Sequence, residues 1–435
     1  MSSEAINSDF IDVRKLMKEV SVEELCRTAE EFFAQRVNWD SLHAKPFAEI
    51  DETPELLICF AQVVRGLNLL PDMTILDFGA GSCWTSHFLS QLGLKVIALD
   101  VSTSALKIGQ RLYQRHPLIG NQPEPRFLQF DGQRFDLPDD SVDRISCWEA
   151  FHHVPNPGQV IREMGRVLKE GGIAGFSEPG PDHSKSPQAQ NEMRTNRVIE
   201  NDIDVREIWS EAQRAGFTDI KLALVHPDPF LLSLGEFEAY LSGEDSGERY
   251  ISETREQMQH RRVFFLIKGE SAVPADSRHR AGLMAELAIE ATSTRIAAGK
   301  PLHFKAVVKN SGSSVWLPTR PDETRSKWRD DLRARSRKLF RLRPIPLPAH
   351  LGSVRFGIQL FDHSGALLDI DYFRHSLTPG KGREILPGET VEFNAEVVVP
   401  STTGKYILQC DLVSEMVCWF EHNGSPIVRL EVEVV

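Results

Sequence analysis

The stretch LDFGAGSCW (76–84) decides the fold of the first part of the chain. An apolar run, MTILDF (73–78), leads into it, and Gly79 and Gly81 stand between this run and a helical pattern. Glycine is needed at such a turn because a side chain would keep a ligand away from the backbone, and the helix behind it presents free N–H groups. A lone GxG occurs in several kinds of site, so other segments must specify the ligand.

Apolar runs and helical patterns alternate after this loop. Beyond MTILDF, the predicted strands are KVIALD (95–100), RFLQF (126–130), VDRISCW (142–148), GIAGFS (172–177), FTDIKLALV (217–225) and RVFFLIK (262–268). Strand, helix and strand over this length indicate crossover connections and a parallel sheet. Residues 71–268 are therefore predicted to form a Rossmann-like α/β domain of seven strands, its last pair antiparallel around an inserted helical segment.

Helical patterns precede this domain. Ser21 and Glu24 form a capping-box pattern ahead of apolar residues at helical spacing, and a second helix is predicted from Thr53. Residues 1–70 are accordingly predicted to be an N-terminal helical extension.

The hydrophobic period changes to two in the last third of the chain. Runs such as LHFKAVV (302–308) alternate strictly and are separated by glycine-containing turns, which is typical of an antiparallel sandwich. The polar stretch 269–282, which contains Pro and Gly, is predicted to be a linker. Residues 283–435 are predicted to form an all-β sandwich domain.

The net charge and the cysteine positions limit the kinds of ligand and partner that the sequence predicts. A net charge of −12 over 435 residues argues against broad nucleic-acid binding, because duplex binders need a basic footprint. The six cysteines are scattered without CxxC spacing, so neither a metal site nor a disulfide framework is predicted. The polar start is no signal peptide and no apolar run reaches membrane-spanning length, which predicts a cytoplasmic location.

A basic insertion interrupts the C-terminal strands. Residues 320–343 hold ten Arg or Lys against four Asp or Glu. Trp328, Leu332 and Leu339 stand at helical spacing within it, which gives a basic amphipathic pattern. Most charge runs of this kind are solvated or disordered. Peripheral contact with an anionic membrane at its inner face is the alternative that the amphipathic pattern offers.

Two ligands compete for the glycine loop, a dinucleotide and S-adenosylmethionine. The dinucleotide fingerprint needs a small residue at its sixth position, where this chain has Trp84. Asp100 ends the second strand, 21 residues after Gly79, and suits the ribose of either ligand, with a helix-cap role as the alternative. Asp131 follows the third strand and can accept from an adenine amino group, or simply form a turn with Gly132.

LDFGAGS (76–82), Asp100 and the run from FDGQRF through SEP (130–179) resemble the class I S-adenosylmethionine-dependent methyltransferases, above all the subgroup with the ubiquinone and menaquinone biosynthesis enzymes. The resemblance covers about residues 70–270 and implies S-adenosyl-L-methionine as the cofactor. The positions it assigns to cofactor binding are Asp77, Gly79 and Gly81 near the methionine portion, Asp100 at the ribose, and Asp131 and Gly132 at adenine. Phe78, Val101 and Trp148 are also predicted to contact the cofactor. Two departures stand out, since Cys83 replaces the usual third glycine and Ala80 separates the first two.

The acceptor side is expected at the ends of strands four and five. Methyl transfer from a sulfonium is an in-line displacement that depends mainly on alignment, and a general base helps where the acceptor holds its proton tightly. His153 and Glu178 are the first choices for catalysis, with His152 beside them, and Glu149 and His183 nearby. The alternative for each histidine is a capping or core-bonded imidazole.

The acceptor itself is predicted from the C-terminal part. Residues 385–424 resemble immunoglobulin-like domains attached to bacterial surface-polysaccharide proteins, which implies glycan recognition or partner docking, with Trp419 and Phe420 either as a stacking surface or as core. The leading hypothesis is therefore O-methylation of a sugar or glycan intermediate. Methylation of a quinone, lipid or secondary metabolite is the alternative, and a degenerate cofactor-binding or glycan-binding protein is a third.

Overall fold

The computed structural model describes residues 10–70, 73–119, 122–226, 228–245, 247–270, 276–318, 351–378 and 382–435. The chain divides into two compact units, Met1–Ala272 and Val273–Val435. The division falls inside the predicted linker 269–282. The basic insertion 320–343 lies outside the described residues, and among the described ones no helix is long and apolar enough to cross a membrane.

The first unit has seven strands and eleven helices among its described residues. The strands are β1 (Thr74–Phe78), β2 (Lys95–Asp100), β3 (Arg126–Gln129), β4 (Val142–Trp148), β5 (Leu168–Pro179), β6 (Phe217–Ala223) and β7 (Arg261–Lys268). The helices are α1 (Val13–Glu19), α2 (Val22–Ala34), α3 (Asp40–Ala44), α4 (Thr53–Gly66), α5 (Trp84–Gln91), α6 (Thr103–Arg115), α7 (Pro157–Val167), α8 (Pro187–Thr195), α9 (Val205–Arg214), α10 (Leu234–Ser242) and α11 (Glu248–Gln257). Single turns of 3₁₀-helix lie at Phe151–His153 and His183–Lys185.

The strands form one sheet in the order β3-β2-β1-β4-β5-β7-β6. Neighbours from β3 to β5 are parallel, and β7 runs antiparallel to both β5 and β6. This arrangement confirms the predicted seven-stranded Rossmann-like domain with an antiparallel last pair. The inserted segment between β6 and β7 holds α10 and α11.

Burial on both faces follows from the alternation of side chains along each strand. In β1, Ile75 packs into one apolar cluster with α4, whereas Leu76 and Phe78 pack into another that includes α7. Parallel strands covered by helices on both faces are continuous apolar runs for this reason. Strand order reverses between β1 and β4, and the loops that leave these two strands in opposite directions open a crevice at their C-terminal ends.

Among the described residues of the second unit, the regular elements are strands and one 3₁₀ turn at Phe420–Asn423. The strands are β8 (Ala285–Ala291), β9 (Arg295–Ile296), β10 (Pro301–Asn310), β11 (Val354–Asp362), β12 (Leu367–Ser376), β13 (Thr390–Val398), β14 (Gly404–Ser414), β15 (Cys418–Trp419) and β16 (Val428–Val434). One sheet has the order β13-β10-β8, and the other β12-β11-β14-β16-β9 with β15 against β14. The rings of Phe304 and Phe356, one from each sheet, lie 5.6 Å apart in a shared core. The predicted all-β C-terminal domain is confirmed.

Trp419 and Phe420, the two candidates for a stacking surface, are both buried. Phe420 is fully buried and packs edge-on against Trp316, with ring centroids 5.4 Å apart. Trp419 is also buried, and the guanidinium of Arg374 lies 4.3 Å above its ring. Neither offers an exposed stacking surface, so the core interpretation is the right one for both.

Candidate functional site

A cavity of about 550 Å³ lies at the crevice between β1 and β4. Its walls come from the glycine loop, the end of β2, the turn after β4 and the N-terminal helices α2 and α4. This volume is in the range of small-molecule sites. Of the predicted cofactor residues, those that line it are Phe78, Gly79, Gly81, Asp100, Val101, Gly132 and Trp148.

The glycine loop touches the turn after β4. Gly79 has a φ of 67° and Gly81 a φ of 51°, in the left-handed region where side chains are disfavoured. A Cβ at Gly79 would lie 2.3 Å from the Cβ of Ala150. Glycine at this position therefore lets the loop and the turn close one end of the cavity.

Cys83 takes the place of the usual third glycine without opening the loop. It also has a left-handed backbone, with a φ of 62°, and its N–H donates to the carbonyl of Ala80 at 2.7 Å. The side chain is buried against α6 at Gly109, where a Cβ would lie 2.2 Å from the Cys83 sulfur. Gly109 of α6, which has no side chain, leaves the space that the Cys83 side chain occupies.

Asp100 joins the end of β2 to the glycine loop. Its two carboxylate oxygens accept the N–H groups of Gly81 and Ser102, each at 2.8 Å. Burial raises the pKa of Asp100 to about 6. Each carboxylate oxygen retains a further lone pair, so the group can hold the loop and accept ribose hydroxyls at the same time.

Asp77 lies beneath the loop and not on the cavity wall. Its carboxylate accepts from the hydroxyls of Thr85 at 2.8 Å, Ser86 at 2.5 Å and Ser146 at 2.8 Å. Only 1% of the residue is exposed. Asp77 therefore ties β1 to α5 and β4, a structural role in place of the predicted contact with the methionine portion.

Asp131 turns back on its own loop. The residue is exposed, and its Oδ1 accepts the N–H groups of Gln133 at 2.7 Å and Arg134 at 2.8 Å. Gly132 lines the cavity, but Asp131 does not. The turn-forming interpretation fits Asp131 better than the predicted contact with adenine.

Helix α2 covers the cofactor side of the cavity, a contribution that sequence analysis missed. A Cβ at Gly132 would lie 2.4 Å from Val22 and 2.8 Å from the sulfur of Cys26. The carboxylate of Glu30 caps α6 from outside, accepting the N–H of Ser104 at 3.0 Å and the hydroxyl of Ser102 at 2.7 Å. The apolar stripe of α2 was visible in the sequence, but no local signal identified the helix it would cover.

Aromatic side chains form the wall between α4, α5 and β4. The ring of Trp148 stacks on Phe60, with centroids 5.2 Å apart and an interplanar angle of 27°. The ring centroid of Trp84 lies 6.1 Å from that of Trp148. Trp84 and Trp148 both line the cavity. This part of the site is therefore aromatic and apolar.

An ion-pair chain borders this wall. Arg261 of β7 pairs with Glu149 and, at 2.7 Å, with Glu55 of α4. All three side chains line the cavity, and Glu149 has a left-handed φ of 49° directly after β4. Strained backbone of this kind is often found at functional sites.

Glu178 lies behind the turn after β4. It is fully buried, and its carboxylate accepts the N–H groups of Ala150 at 3.1 Å and Phe151 at 2.9 Å and the Nδ1–H of His152 at 2.7 Å. Burial acts to raise the pKa of Glu178, but these hydrogen bonds outweigh it and lower the pKa. Because Glu178 does not line the cavity, this placement argues against its predicted role as a base.

His152 and His153 both line the cavity but differ in exposure. His152 is 4% exposed, and its Nε2 lies 3.6 Å from Oε2 of Glu200. The Nδ1 of His153 bonds to the carbonyl of Ile199 at 2.6 Å, and 42% of its side chain is exposed. Desolvation, and then the adjacent His152, lower the pKa of His153 to about 4, while solvent at the exposed part moderates this shift. His153 is therefore neutral near pH 7.

Glu200 stands among the histidines and was not predicted. Its carboxylate is buried, and Nε2 of His183 bonds to it at 2.7 Å. Backbone contacts on either side hold it in place, since Ile199 bonds to His153 and the N–H of Asn201 donates to the carbonyl of His152 at 3.0 Å. Glu200 belongs to a polar stretch without periodicity, so only the fold reveals its position.

Comparison with known proteins identifies part of this unit. Residues 76–176 match the family model described as a methyltransferase domain. The chain is 31% identical over 141 residues to a ubiquinone biosynthesis O-methyltransferase from Nitrosomonas europaea, covering 32% of this chain and 56% of that protein. A demethylmenaquinone methyltransferase from Renibacterium salmoninarum is 32% identical over 120 residues, covering 27% and 47%.

A third relative is matched over more of its length. A thiol S-methyltransferase from Rattus norvegicus is 28% identical over 205 residues, covering 44% of this chain and 77% of that protein. The chain spans about half the length of the two quinone-pathway relatives. The segment from β1 into β5, with the glycine loop, Asp100 and both adjacent histidines, is thus the part of the chain that is similar to methyltransferase domains.

Proposed function

We propose that this chain transfers a methyl group from S-adenosyl-L-methionine to a hydroxyl of a small, flat, largely apolar acceptor. The observation that carries the proposal is one cavity with two chemically different ends. The glycine loop and Asp100 form one end, and the cluster of His152, His153 and Glu200 forms the other. A donor bound at the first end would direct its sulfonium toward a nucleophile at the second.

The cofactor end offers the groups that an adenosyl donor needs. The loop backbone can approach the ligand closely at Gly79 and Gly81, and Asp100 presents free lone pairs for ribose hydroxyls. Helix α2 packs over Gly132 and would exclude water from the adenine side. The fit of Cys83 beside Gly109 argues against the third hypothesis, a degenerate domain.

At the acceptor end, an oxygen attacks the methyl carbon while the sulfur–carbon bond breaks, giving S-adenosylhomocysteine and a methyl ether. The chain's contribution is to align the two partners and to receive the hydroxyl proton. Nδ1 of His153 donates to the carbonyl of Ile199, which leaves Nε2 with the lone pair. His153 is accordingly the preferred base.

The shape of the cavity favours an aromatic hydroxyl as acceptor. Trp84 and Trp148 present flat apolar surface, which suits a ring such as those methylated by quinone-pathway enzymes. The sugar or glycan acceptor rests on the C-terminal resemblance alone and stays a prediction. A thiol acceptor is a second candidate, favoured by the similarity to the thiol S-methyltransferase.

Binding and turnover test the proposal separately. S-adenosylhomocysteine is titrated calorimetrically into the full chain, and the labelled donor is then incubated with a panel of phenols, quinols, thiols and sugars. We expect stoichiometric binding and the fastest labelling of an aromatic hydroxyl. Absence of S-adenosylhomocysteine binding refutes the methyltransferase activity, and preferential labelling of a sugar or thiol refutes the acceptor class.

A further inference from the structure

We propose that His152, His153 and Glu200 together bind one divalent cation at the acceptor end of the cavity. One ligand atom from each lies within 4.8 Å of the other two, and this is the one such group of three among the described residues. The sequence-based prediction of no metal site rested on cysteine spacing, which does not bear on this combination of residues.

The distances match ligands around a cation better than hydrogen-bond partners. Nε2 of His152 and Oε2 of Glu200 are 3.6 Å apart, beyond the range of a normal hydrogen bond. Two ligand atoms about 2.1 Å from a tetrahedral cation are separated by about 3.4 Å. A cation between these two atoms therefore needs only a small adjustment of side chains already in place.

The hydrogen bond between His152 and Glu178 also leaves the other ring nitrogen of His152 facing Glu200. The carboxylate of Glu178 accepts the Nδ1–H at 2.7 Å, so in the neutral ring Nε2 carries a lone pair. That lone pair faces the carboxylate of Glu200. Two electron-rich atoms facing each other in a buried site repel unless a proton or a metal ion lies between them.

Outer hydrogen bonds orient each proposed ligand. Metal-binding histidines usually donate their other ring N–H to a carboxylate or a backbone carbonyl. His152 does so to Glu178. Nδ1 of His153 bonds to the carbonyl of Ile199 and lies 3.6 Å from Oε1 of Glu200, so Nε2 is the ring nitrogen left for a cation. His183 bonds to Oε2 of Glu200, the same oxygen that faces Nε2 of His152. This oxygen keeps a second lone pair for a cation.

The donor set indicates the kind of metal. Two imidazoles and one carboxylate suit Zn²⁺, Mn²⁺, Fe²⁺ or Co²⁺ more than Mg²⁺ or Ca²⁺, which prefer oxygen ligands throughout. The ligands leave one unit of positive charge on a divalent ion, and Glu178 lies close enough to offset it. Three protein ligands beside a cavity leave coordination positions open for an acceptor.

The consequence for catalysis rests on the proposed methyl transfer. A hydroxyl bound to the cation loses its proton to water more readily, because the metal lowers its pKa. His153 then acts as a ligand, and the metal takes over the activation that His153 would supply as a base.

Cobalt binding tests the site without any assay of turnover. The full chain is freed of metal with a chelator and titrated with Co²⁺, whose visible absorption reports coordination geometry. We expect one Co²⁺ per chain, with Glu200→Gln raising the Kd by about 100-fold or more, since loss of an outer-shell partner alone costs about 10- to 100-fold. His153→Ala serves as the second variant, because its half-exposed side chain can be removed without a buried void.

The matched control is His303→Gln. His303 and Glu396 form an exposed pair at 3.5 Å in the other unit, and this change is expected to leave Co²⁺ binding as in the wild type. No stoichiometric cobalt spectrum, a spectrum unchanged in both Glu200→Gln and His153→Ala, or one lost in His303→Gln would each overturn the metal site. Methyl transfer that fails although cobalt binds would refute the proposed function and leave the metal site standing.

Discussion

Cys83 and Gly109 are complementary across the contact between the glycine loop and α6, since a Cβ at residue 109 would lie 2.2 Å from the Cys83 sulfur. Cys83 stands where the family resemblance implies glycine, and its φ is 62°. The pair explains how the loop keeps its path with a side chain at its third small position. It also makes the loop sensitive to a residue outside the cofactor site.

Gly109→Ala should lower the free energy of unfolding by about 1–3 kcal/mol, because overpacking displaces the Cys83 sulfur. Alanine normally stabilises a helix interior by about 0.5–1 kcal/mol relative to glycine, so a loss would point to the clash. Cys83→Gly combined with Gly109→Ala should restore stability, as measured by denaturant unfolding. A double variant no more stable than Gly109→Ala alone would show that the two residues are not coupled.

Asp100→Asn should weaken S-adenosylhomocysteine binding by about 10- to 100-fold, equivalent to about 1–3 kcal/mol. The amide presents one acceptor where the carboxylate serves both Gly81 and Ser102. Calorimetric titration measures the change.

Asp131→Asn is the matched control for this experiment. Its amide oxygen can still accept the N–H groups that Oδ1 accepts now, so affinity should stay within about twofold on the scale of a lost hydrogen bond. If Asp131→Asn bound S-adenosylhomocysteine as weakly as Asp100→Asn, the result would support the contact between Asp131 and adenine that the sequence predicted.

The pH dependence of cofactor affinity should carry the signature of Asp100. Burial raises the pKa of this carboxyl to about 6, above the value of about 3.9 in an unfolded chain. Between about pH 4 and pH 6 the folded chain holds a proton that the unfolded chain has lost, so this group's contribution to stability falls as the pH rises. Affinity for S-adenosylhomocysteine should rise across pH 6, as the ionised form accepts better from ribose hydroxyls, and Asp100→Asn should flatten that step. A step of equal size in the variant would assign it to another group.

Glu30→Ala should lower the free energy of unfolding by about 1 kcal/mol, because it removes a carboxylate from the N-terminus of α6, and should weaken cofactor binding by loosening α2. Glu31→Ala on the same helix is the control. Glu31 forms an exposed pair with Arg27 at 2.8 Å, worth about 0.3–0.5 kcal/mol. Equal effects of the two changes on S-adenosylhomocysteine affinity would mean that α2 is not fastened through Glu30.

Local patterns were enough to predict the seven strands of the first unit, but not its helices α1, α3 and α8. The runs around Ile75 and Val96 are apolar because the sheet is covered on both faces, and their alternation with helical patterns leaves few other topologies. Gly79, Gly81 and Asp100 were found for a similar reason. The glycine loop follows directly after β1 and Asp100 ends β2, and the ends of these strands meet at the point where the strand order reverses.

The rest of the site depends on long-range contacts. Glu200 is 48 residues beyond His152 in a stretch without periodicity, and it reaches the cavity through backbone bonds at Ile199 and Asn201. Glu178 and Asp131 were chosen for their positions after strands. The direction of each carboxylate is set by nearby N–H groups that position in the sequence does not specify.

His153→Ala and Glu178→Gln should give opposite results in turnover and stability. His153 is half exposed and lies in the cavity wall, so its loss should lower turnover by about 100-fold with little change in melting temperature or in S-adenosylhomocysteine affinity. Glu178 is fully buried beneath the same turn, and a glutamine there would present an N–H₂ group to at least one of the donors it now accepts from. We expect Glu178→Gln to lose about 2 kcal/mol or more of stability and to affect turnover only through the position of His152. Thermal melting and single-turnover labelling of the acceptor, measured on both variants, separate these effects. A stable Glu178→Gln with greatly reduced turnover, next to an active His153→Ala, would return the role of base to Glu178.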